Sequence, residues 1–515
     1  MTHSRRSLTI LSSPLLDNTM NDQTEGTSAQ QRQSFTPAQI MAMISNFSTS
    51  YNVVNISLVL PMVKSLYPGT AEDQAACASS LLAGMMIGQV MGGALGDGPL
   101  GRLGALRFVM ALQIVASLLS AATMESPHFY AQLAGARLLL GIGAGGVYPL
   151  AAVLSAEQGA GGVERTTLQQ LRRVALTFSM QGVGFLAVPV VALSLLYTTK
   201  ASQLDLVWRF ILGLGSLPGL ILIFFQWNFY QRVDMEVLPQ SEEVTENVSC
   251  DPITKEANLE INFDDEEVNV DEQDCIFHPS NVDLEQSSST GNFSLWSALK
   301  TEPQLCSKLL GTAGTWFLFD VLFYGNTLFQ PIVLEAAFGG RIVDDEDELK
   351  KTATDSLFLA MIALPGYIVS AFVMGKRLCF VKQTPRYVQL QGFCVMAILY
   401  ATISAYWGYL KRQPNLLVFI YGMTFFFANY GPNTTTFVFP SLVYSPECRS
   451  TLNGISAAAG KAGALLGATL FAPTADALGD SDVMLICACV SVMAFGLTYC
   501  FSRKPNTRAS SDPLQ

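Results

Sequence analysis

The sequence predicts an all-α integral membrane protein, with twelve transmembrane helices in two six-helix bundles. Three observations carry that prediction. Half of the 515 residues are hydrophobic and only 14% are charged, a composition unlike that of a single water-soluble core. Stretches of about 20 mostly apolar residues, the length that crosses a bilayer as a helix, recur along the chain. A single long polar segment interrupts them, after the sixth. Open sheet edges would leave backbone groups unpaired in hydrocarbon, and no alternating barrel strands occur, so helices are the state these stretches take.

In order, the first six spans fall at 38–64, 77–96, 103–122, 130–156, 172–196 and 207–229. The second six fall at 307–334, 354–376, 386–409, 415–440, 451–475 and 482–502. The expected organisation is a polar tail over 1–35, a first bundle over 36–230 and a linker over 231–295. A second bundle over 296–503 and a short tail over 504–515 follow. Within the first tail, Ser7 to Leu16 is too short and too interrupted by Ser and Pro for a signal-sequence apolar region, so the first span stays as an anchor.

The net charge of −11 is local to the linker. Asp234 to Glu285 holds 17 acidic residues against Lys255 alone, a charge of −16, which leaves +5 for the rest of the chain. Runs such as Asp264-Asp265-Glu266-Glu267, with little apolar content, read as a solvated disordered loop rather than a docking site for a basic partner. The expected surroundings are a lipid bilayer, with no nucleic-acid partner.

Orientation follows from Lys and Arg near the span ends. With a cytoplasmic amino terminus, the inner loops carry Arg102, Arg107, Arg165, Arg172, Arg173, Lys376, Arg377, Lys382 and Arg386. The outer loops carry fewer, among them Lys64, Lys200, Lys411 and Arg412. Loop 335–353 is an exception, with Arg341, Lys350 and Lys351 accompanied by five nearby acids. The bias puts both termini and the linker in the cytoplasm. The ten cysteines are scattered and read as small apolar residues, and His3, His128 and His278 all lie outside the spans. No metal site, cofactor, histidine proton relay or enzymatic chemistry is expected.

The informative residues are ionisable groups deep in spans, because a charge at the bilayer centre costs at least about 2.5–3.5 kcal/mol on insertion scales. Arg137, Asp320 and Lys461 are three such groups, and each needs a partner or a water-filled cavity. Arg137 stands in span four, before Gly141, Gly143, Gly145 and Gly146. No strand precedes these glycines, so they read as a close helix-packing face rather than a nucleotide loop. Tyr148 and Pro149 follow as a kink facing a cavity.

In span seven Trp316, Asp320 and Tyr324 are spaced four apart and line one slowly winding helix face. That face offers an indole, a carboxyl and a phenol, a functional set rather than an aromatic packing stripe. Span ten contains Gly431-Pro432-Asn433-Thr434-Thr435-Thr436, where Gly-Pro breaks helical hydrogen bonding beside polar side chains; a kink closed by threonine hydroxyls is the alternative. Lys461, in span eleven, sits in a run of small residues from Gly460 to Gly467 that lets helices approach closely. Its ammonium demands an anion. Either Asp320 supplies it as an ion pair or a substrate does, and the two need not exclude each other.

The loop after span two reads Gly93-Ala94-Leu95-Gly96-Asp97-Gly98-Pro99-Leu100-Gly101-Arg102. It is similar to the major facilitator loop motif G-x-x-x-D-R-x-G-R, with one residue inserted and the basic residue after Asp97 missing. A degenerate counterpart lies at Gly375-Lys376-Arg377. Together with Gly145-Gly146, Tyr148-Pro149-Leu150, Gln181-Gly182, Gly311 to Gly325, Gly431 to Phe437, Arg449-Ser450-Thr451 and Gly454 to Lys461, this makes the chain resemble the phosphate:proton symporters of fungi and plants over about 38–503.

The resemblance implies a major facilitator fold in the plasma membrane that carries inorganic phosphate with protons by alternating access. It implies that Tyr148, Gln181, Trp316, Asp320, Tyr324, Asn433 and Lys461 hold phosphate, with Asp320 handling the proton. Asp97 and Arg102 are implied as a conformational latch. The donors suit an oxyanion. A carboxylate beside phosphate repels it unless protonated, which would couple the two ligands. The chain departs from the family where Thr49, Asn52 and Val147 replace acids. The departure leaves open sodium coupling or none, an organic phosphate substrate, or a non-transporting phosphate sensor.

Overall fold

The computed structural model describes residues 36–157, 167–200, 203–224, 296, 299–300, 302–338, 345–378 and 380–502. The expected tails over 1–35 and 504–515, the acidic linker over 231–295, and Arg165, His3, His278 and Arg341 lie outside these. The described residues from Ala38 to Ser502 belong to one compact unit.

Helices α1 (Pro37–Leu66), α2 (Ala71–Asp97), α3 (Gly101–Ala121), α4 (Phe129–Glu157), α5 (Thr167–Thr198) and α6 (Leu204–Phe224) make the first set. Helix α7 joins Leu305–Leu309, a π turn at Leu310–Gly314 and Thr315–Phe338. It is followed by α8 (Asp345–Val373) and α9 (Pro385–Ala405). Helix α10 joins Pro414–Ala428, a π turn at Asn429–Asn433, Thr434–Val438 and Pro440–Val443. Helices α11 (Arg449–Leu478) and α12 (Asp480–Phe501) complete the second set.

Several helices start earlier than their apolar stretches. Helix α2 begins at Ala71 because Thr70 caps it: the Thr70 hydroxyl accepts from the Asp73 N–H at 3.1 Å, and the Asp73 carboxylate accepts from the Thr70 N–H at 2.9 Å. Hydropathy alone undercounts the twelve helices. Ten of the helices are long and apolar enough to cross a membrane, and α1 and α10 are not among them. Helix α1 falls short because one face is polar and buried, through Ser45, Asn46, Ser48, Thr49, Asn52 and Asn55. Helix α10 falls short because it is broken at Gly431, with φ −98° and ψ −105°. A two-residue ladder absent from the all-helix expectation, β1 (Arg377–Leu378) with β2 (Val381–Lys382), turns the chain between α8 and α9.

Glycines set the closest helix approaches. A Cβ on Gly88 of α2 would run into the Ile142 carbonyl of α4, and one on Gly145 of α4 into the Met85 carbonyl of α2. The glycine run of span four is thus a packing face, as its composition suggested. The same device joins α11 to α7, where Gly463 lies on the Phe317 carbonyl and Gly467 on that of Val321. It also joins the two halves, since Gly93 of α2 lies on the Ser450 carbonyl and Gly454 of α11 on that of Gln89.

Because Gly88 meets backbone rather than a movable side chain, Gly88→Leu should force α2 off α4. Overpacking of this kind costs about 1–3 kcal/mol or more. The expected outcome is a lower melting temperature and folded yield in detergent, whereas Gly135→Ala, with open space around it, should leave both unchanged.

Candidate functional site

Close packing of α7 against α11 puts Asp320 beside Lys461. Both are buried, at 2% and 4% exposure, and the Lys461 Nζ donates to Asp320 Oδ2 at 2.7 Å and to the Tyr324 hydroxyl at 3.0 Å. Lys461 thus contacts the carboxylate, one of the two partners open to it on sequence grounds. The ammonium also lies 4.3 Å from the Tyr324 ring centre and 5.7 Å from that of Tyr148. Gly460 packs on the Trp316 indole, which fixes the third member of the α7 face.

A second polar chain reaches this pair from the other helices. The Tyr148 hydroxyl donates to Gln181 Oε1 at 3.1 Å, and Gln181 Nε2 donates to the Tyr367 hydroxyl at 3.2 Å. Asn433 Nδ2 donates to the same Tyr367 oxygen at 2.8 Å and to Asn429 Oδ1 at 2.8 Å. The break in α10 makes this reach available. Its freed carbonyls are taken up by the threonines, with Thr434 donating to Asn429 O at 2.6 Å and Thr435 to Gly431 O at 2.9 Å. Both sequence readings of this segment therefore hold: the hydroxyls close the kink and Asn433 faces a cavity. Helix α4 continues unbroken through Pro149, with Tyr148 on the cavity wall.

All seven residues expected at the site, Tyr148, Gln181, Trp316, Asp320, Tyr324, Asn433 and Lys461, line this one cavity. Phe178 and Phe323 join them as apolar walls. The space between these residues, its mouth included, is about 220 Å³, so the cavity is narrow. Sequence reasoning missed Tyr367, Phe178 and Phe323, because aromatic residues are common in spans and nothing in their spacing separates a wall from ordinary packing.

Arg137 is fully buried and bonds to neutral partners, donating to Asn55 Oδ1 and to the Asn52 carbonyl, each at 3.0 Å. Around it α1, α3 and α6 share an uncharged network. Thr49 donates to Gln113 Oε1 at 2.8 Å, Gln113 Nε2 to the Ser48 hydroxyl at 2.8 Å, and Asn52 Nδ2 to the Gly215 carbonyl at 2.8 Å. Val147 is fully buried. The positions where acids are missing are thus filled by groups satisfied without charge.

Asp97 and Arg102 meet at 3.4 Å, within a wider cluster that crosses between the halves. Asp97 accepts from the backbone N–H of Ser450 at 3.2 Å and of Thr451 at 2.7 Å, in the first turn of α11. A carboxylate there satisfies orphan donors and the positive end of the helix dipole. Arg102 also pairs with Glu157 at 2.6 Å and donates to the Pro446 carbonyl at 2.7 Å, while Arg449 reaches Glu157 at 2.9 Å. Glu157, the acid shared by both arginines, went unnoticed in the sequence, where it merely ends an apolar span.

The Major Facilitator Superfamily model matches residues 42–468. A probable inorganic phosphate transporter 1-6 of Arabidopsis thaliana is 30% identical over 505 residues, covering 90% of each chain. A probable inorganic phosphate transporter 1-12 of Oryza sativa subsp. japonica is 31% identical over 471 residues, 84% of this chain and 80% of its own. Among solved structures, the proton:xylose symporter XylE aligns with a TM-score of 0.63 at 15% identity, over 91% of this chain and 95% of its own, a likeness of fold.

Removing the Asp97 carboxylate leaves two helix-terminal N–H groups without their acceptor, a loss of about 0.5–2 kcal/mol for a cap of this kind. Asp97→Ala should therefore shift the halves toward separation at this end by about tenfold. Distances between spin labels on α2 and α11 would report it, and an unchanged distribution would mean that the Asp97 cap carries no such weight.

Proposed function

This chain belongs to the Major Facilitator Superfamily, and from that membership we propose that it is a secondary active transporter of inorganic phosphate that works by alternating access. It is a multi-pass integral membrane protein. The observation that carries the reading is the Lys461–Asp320 pair, buried at the wall of a cavity whose other polar groups are phenols, amides and an indole. An ammonium and neutral donors suit a phosphate oxyanion.

The pair also supports a coupling mechanism. Phosphate oxygens compete with Asp320 for the Lys461 ammonium. Once Lys461 turns to phosphate, the Asp320 carboxylate faces both an anion and a desolvated wall, and a proton relieves both costs. Binding of anion and proton thereby favour each other. On release the carboxylate loses the proton and recovers Lys461. The two six-helix sets rock about the cavity, and the Asp97, Arg102, Glu157 and Arg449 cluster closes one end. We place that end and both termini in the cytoplasm and the protein in the plasma membrane; the arginines of the latch loop and the Lys376–Lys382 hairpin support that orientation.

Labelled phosphate uptake into transporter-deficient cells, measured across pH and with sodium removed, tests the reading. Uptake should persist without sodium and fall as the external pH rises. Asp320→Asn should abolish concentrative uptake, and accumulation at the wild-type level would overturn the coupling role. Lys461→Ala strands a buried carboxylate, a loss of about 3–5 kcal/mol. Phosphate affinity should drop at least tenfold in this variant, and unchanged affinity would reduce Lys461 to a structural partner of Asp320.

A further inference from the structure

Asp320 and Lys461 neutralise each other, but Arg137 of α4 is fully buried and pairs with no carboxylate among the described residues. Its partners are dipoles. The guanidinium donates to Asn55 Oδ1 and to the Asn52 carbonyl, each at 3.0 Å, and the side chains that continue this network on α1 and α3 are the neutral Ser48, Thr49, Gln113 and Ser117. Cys77 of α2, a titratable neighbour, points its S–H at the Tyr130 carbonyl at 3.6 Å. A whole positive charge is therefore held at membrane depth by neutral groups, with the desolvation cost of an ion and no opposite charge to offset it. Two donors at the same place are left over. Asn55 uses its amide oxygen on Arg137, and its Nδ2 is buried with no hydrogen-bond partner among the described residues, as is Arg137 Nε. Because Asn55 Nδ2 belongs to the same planar amide as that oxygen, covalent geometry keeps it beside the charge. Spare N–H donors around a surplus positive charge select an anion. Water would satisfy the donors and leave the charge.

We propose that a chloride-sized monovalent anion binds beside Arg137, held by the guanidinium and by Asn55 Nδ2, as a structural counter-ion of the first six helices. One negative charge brings the region to zero, whereas a divalent anion inverts the imbalance. Size is limited by the helices. A Cβ on Gly84 of α2 would strike the Leu138 carbonyl of α4, and one on Gly141 of α4 the Leu81 carbonyl of α2, so the backbones on either side of Arg137 nearly touch. The site is separate from the phosphate cavity. Arg137 precedes Tyr148 by eleven residues, about 16 Å along α4 toward Phe129, and does not line that cavity. The anion is thus a fixed part of the fold rather than cargo.

The experiment uses the purified full chain in detergent at constant ionic strength, with chloride exchanged for gluconate, and reads the melting temperature. A ligand of the folded state adds stability with the logarithm of its concentration, so the melting temperature should rise by about 1–3 °C for each tenfold increase in chloride above its dissociation constant. Bromide should replace chloride and sulfate should not. Inorganic phosphate, which has its own cavity, should add to the chloride effect, and competition between the two would overturn a separate site. Asn55→Asp places a carboxylate within reach of the guanidinium. This variant should melt in gluconate as high as the wild type does in chloride, with no further response to chloride. Arg137→Met should also lose the response; where it fails to fold, Asn55→Asp decides. Equal melting of the wild type in chloride and gluconate overturns the proposal and leaves phosphate transport intact. A chloride response that survives Asn55→Asp overturns the placement at Arg137. Folded protein that keeps the chloride response but carries no phosphate overturns the transport reading alone.

Discussion

The Lys461–Asp320 ion pair is the interaction around which the rest of the structure is organised. Two opposite charges at membrane depth tolerate each other only at short range, since either alone costs several kcal/mol in a desolvated site. Short range requires α7 and α11 to approach almost backbone to backbone. Gly463 and Gly467 permit that approach, and Gly460 admits the Trp316 ring over the same surface. The small-residue run of α11 and the polar face of α7 are thus two halves of one device. The side chains that line the cavity opposite them are then held by neutral hydrogen bonds, which leaves the ion pair as its charged centre.

The seam between the halves obeys a different balance. At one end it is secured by Asp97 on the first turn of α11 and by Glu157 between two arginines. The Asp97 carboxylate is buried and caps the helix, whereas Glu157 and its two arginines are partly exposed, so each of their contacts is worth little and they act through number and geometry. Farther in, the side-chain amides of Gln89 and Asn453 are buried with no hydrogen-bond partner among the described residues, where α2 and α11 pack through Gly93 and Gly454. Unpaired buried amides cost about 1–3 kcal/mol each. Close backbone packing holds the seam shut while these groups favour hydration, a balance suited to an interface that must open and close in every cycle.

Particular residues show how far the sequence could be read. Asp320 and Lys461 stood out because charge in an apolar span is expensive, and the fourfold spacing of Trp316, Asp320 and Tyr324 put them on one face before any tertiary contact was known. The glycines of α4 were legible as packing for the same reason that small residues recur at membrane helix interfaces. Tyr367 was not legible: it follows Pro365-Gly366 in an ordinary apolar helix, and only the arrival of Gln181 and Asn433 from α5 and α10 makes its hydroxyl a bridge. Glu157 likewise gains its role from arginines 55 positions before it and 292 after it. Hydropathy misjudged α1 and α10, because their polar side chains and broken backbone are satisfied by neighbouring helices rather than by lipid.

What the sequence determined by itself were properties that depend on a residue's near neighbours in the chain: helical state, span order, the division into two sets of six, and which ionisable groups sit too deep to be incidental. These follow from the cost of exposing polar atoms to hydrocarbon, and that cost is paid locally. The tertiary structure alone decided which partner each buried charge takes, that Arg137 is satisfied without an acid, and that residues from five helices close on one narrow cavity. Those outcomes depend on which helix backbones come within contact distance, and that is set by shape complementarity between elements hundreds of residues apart.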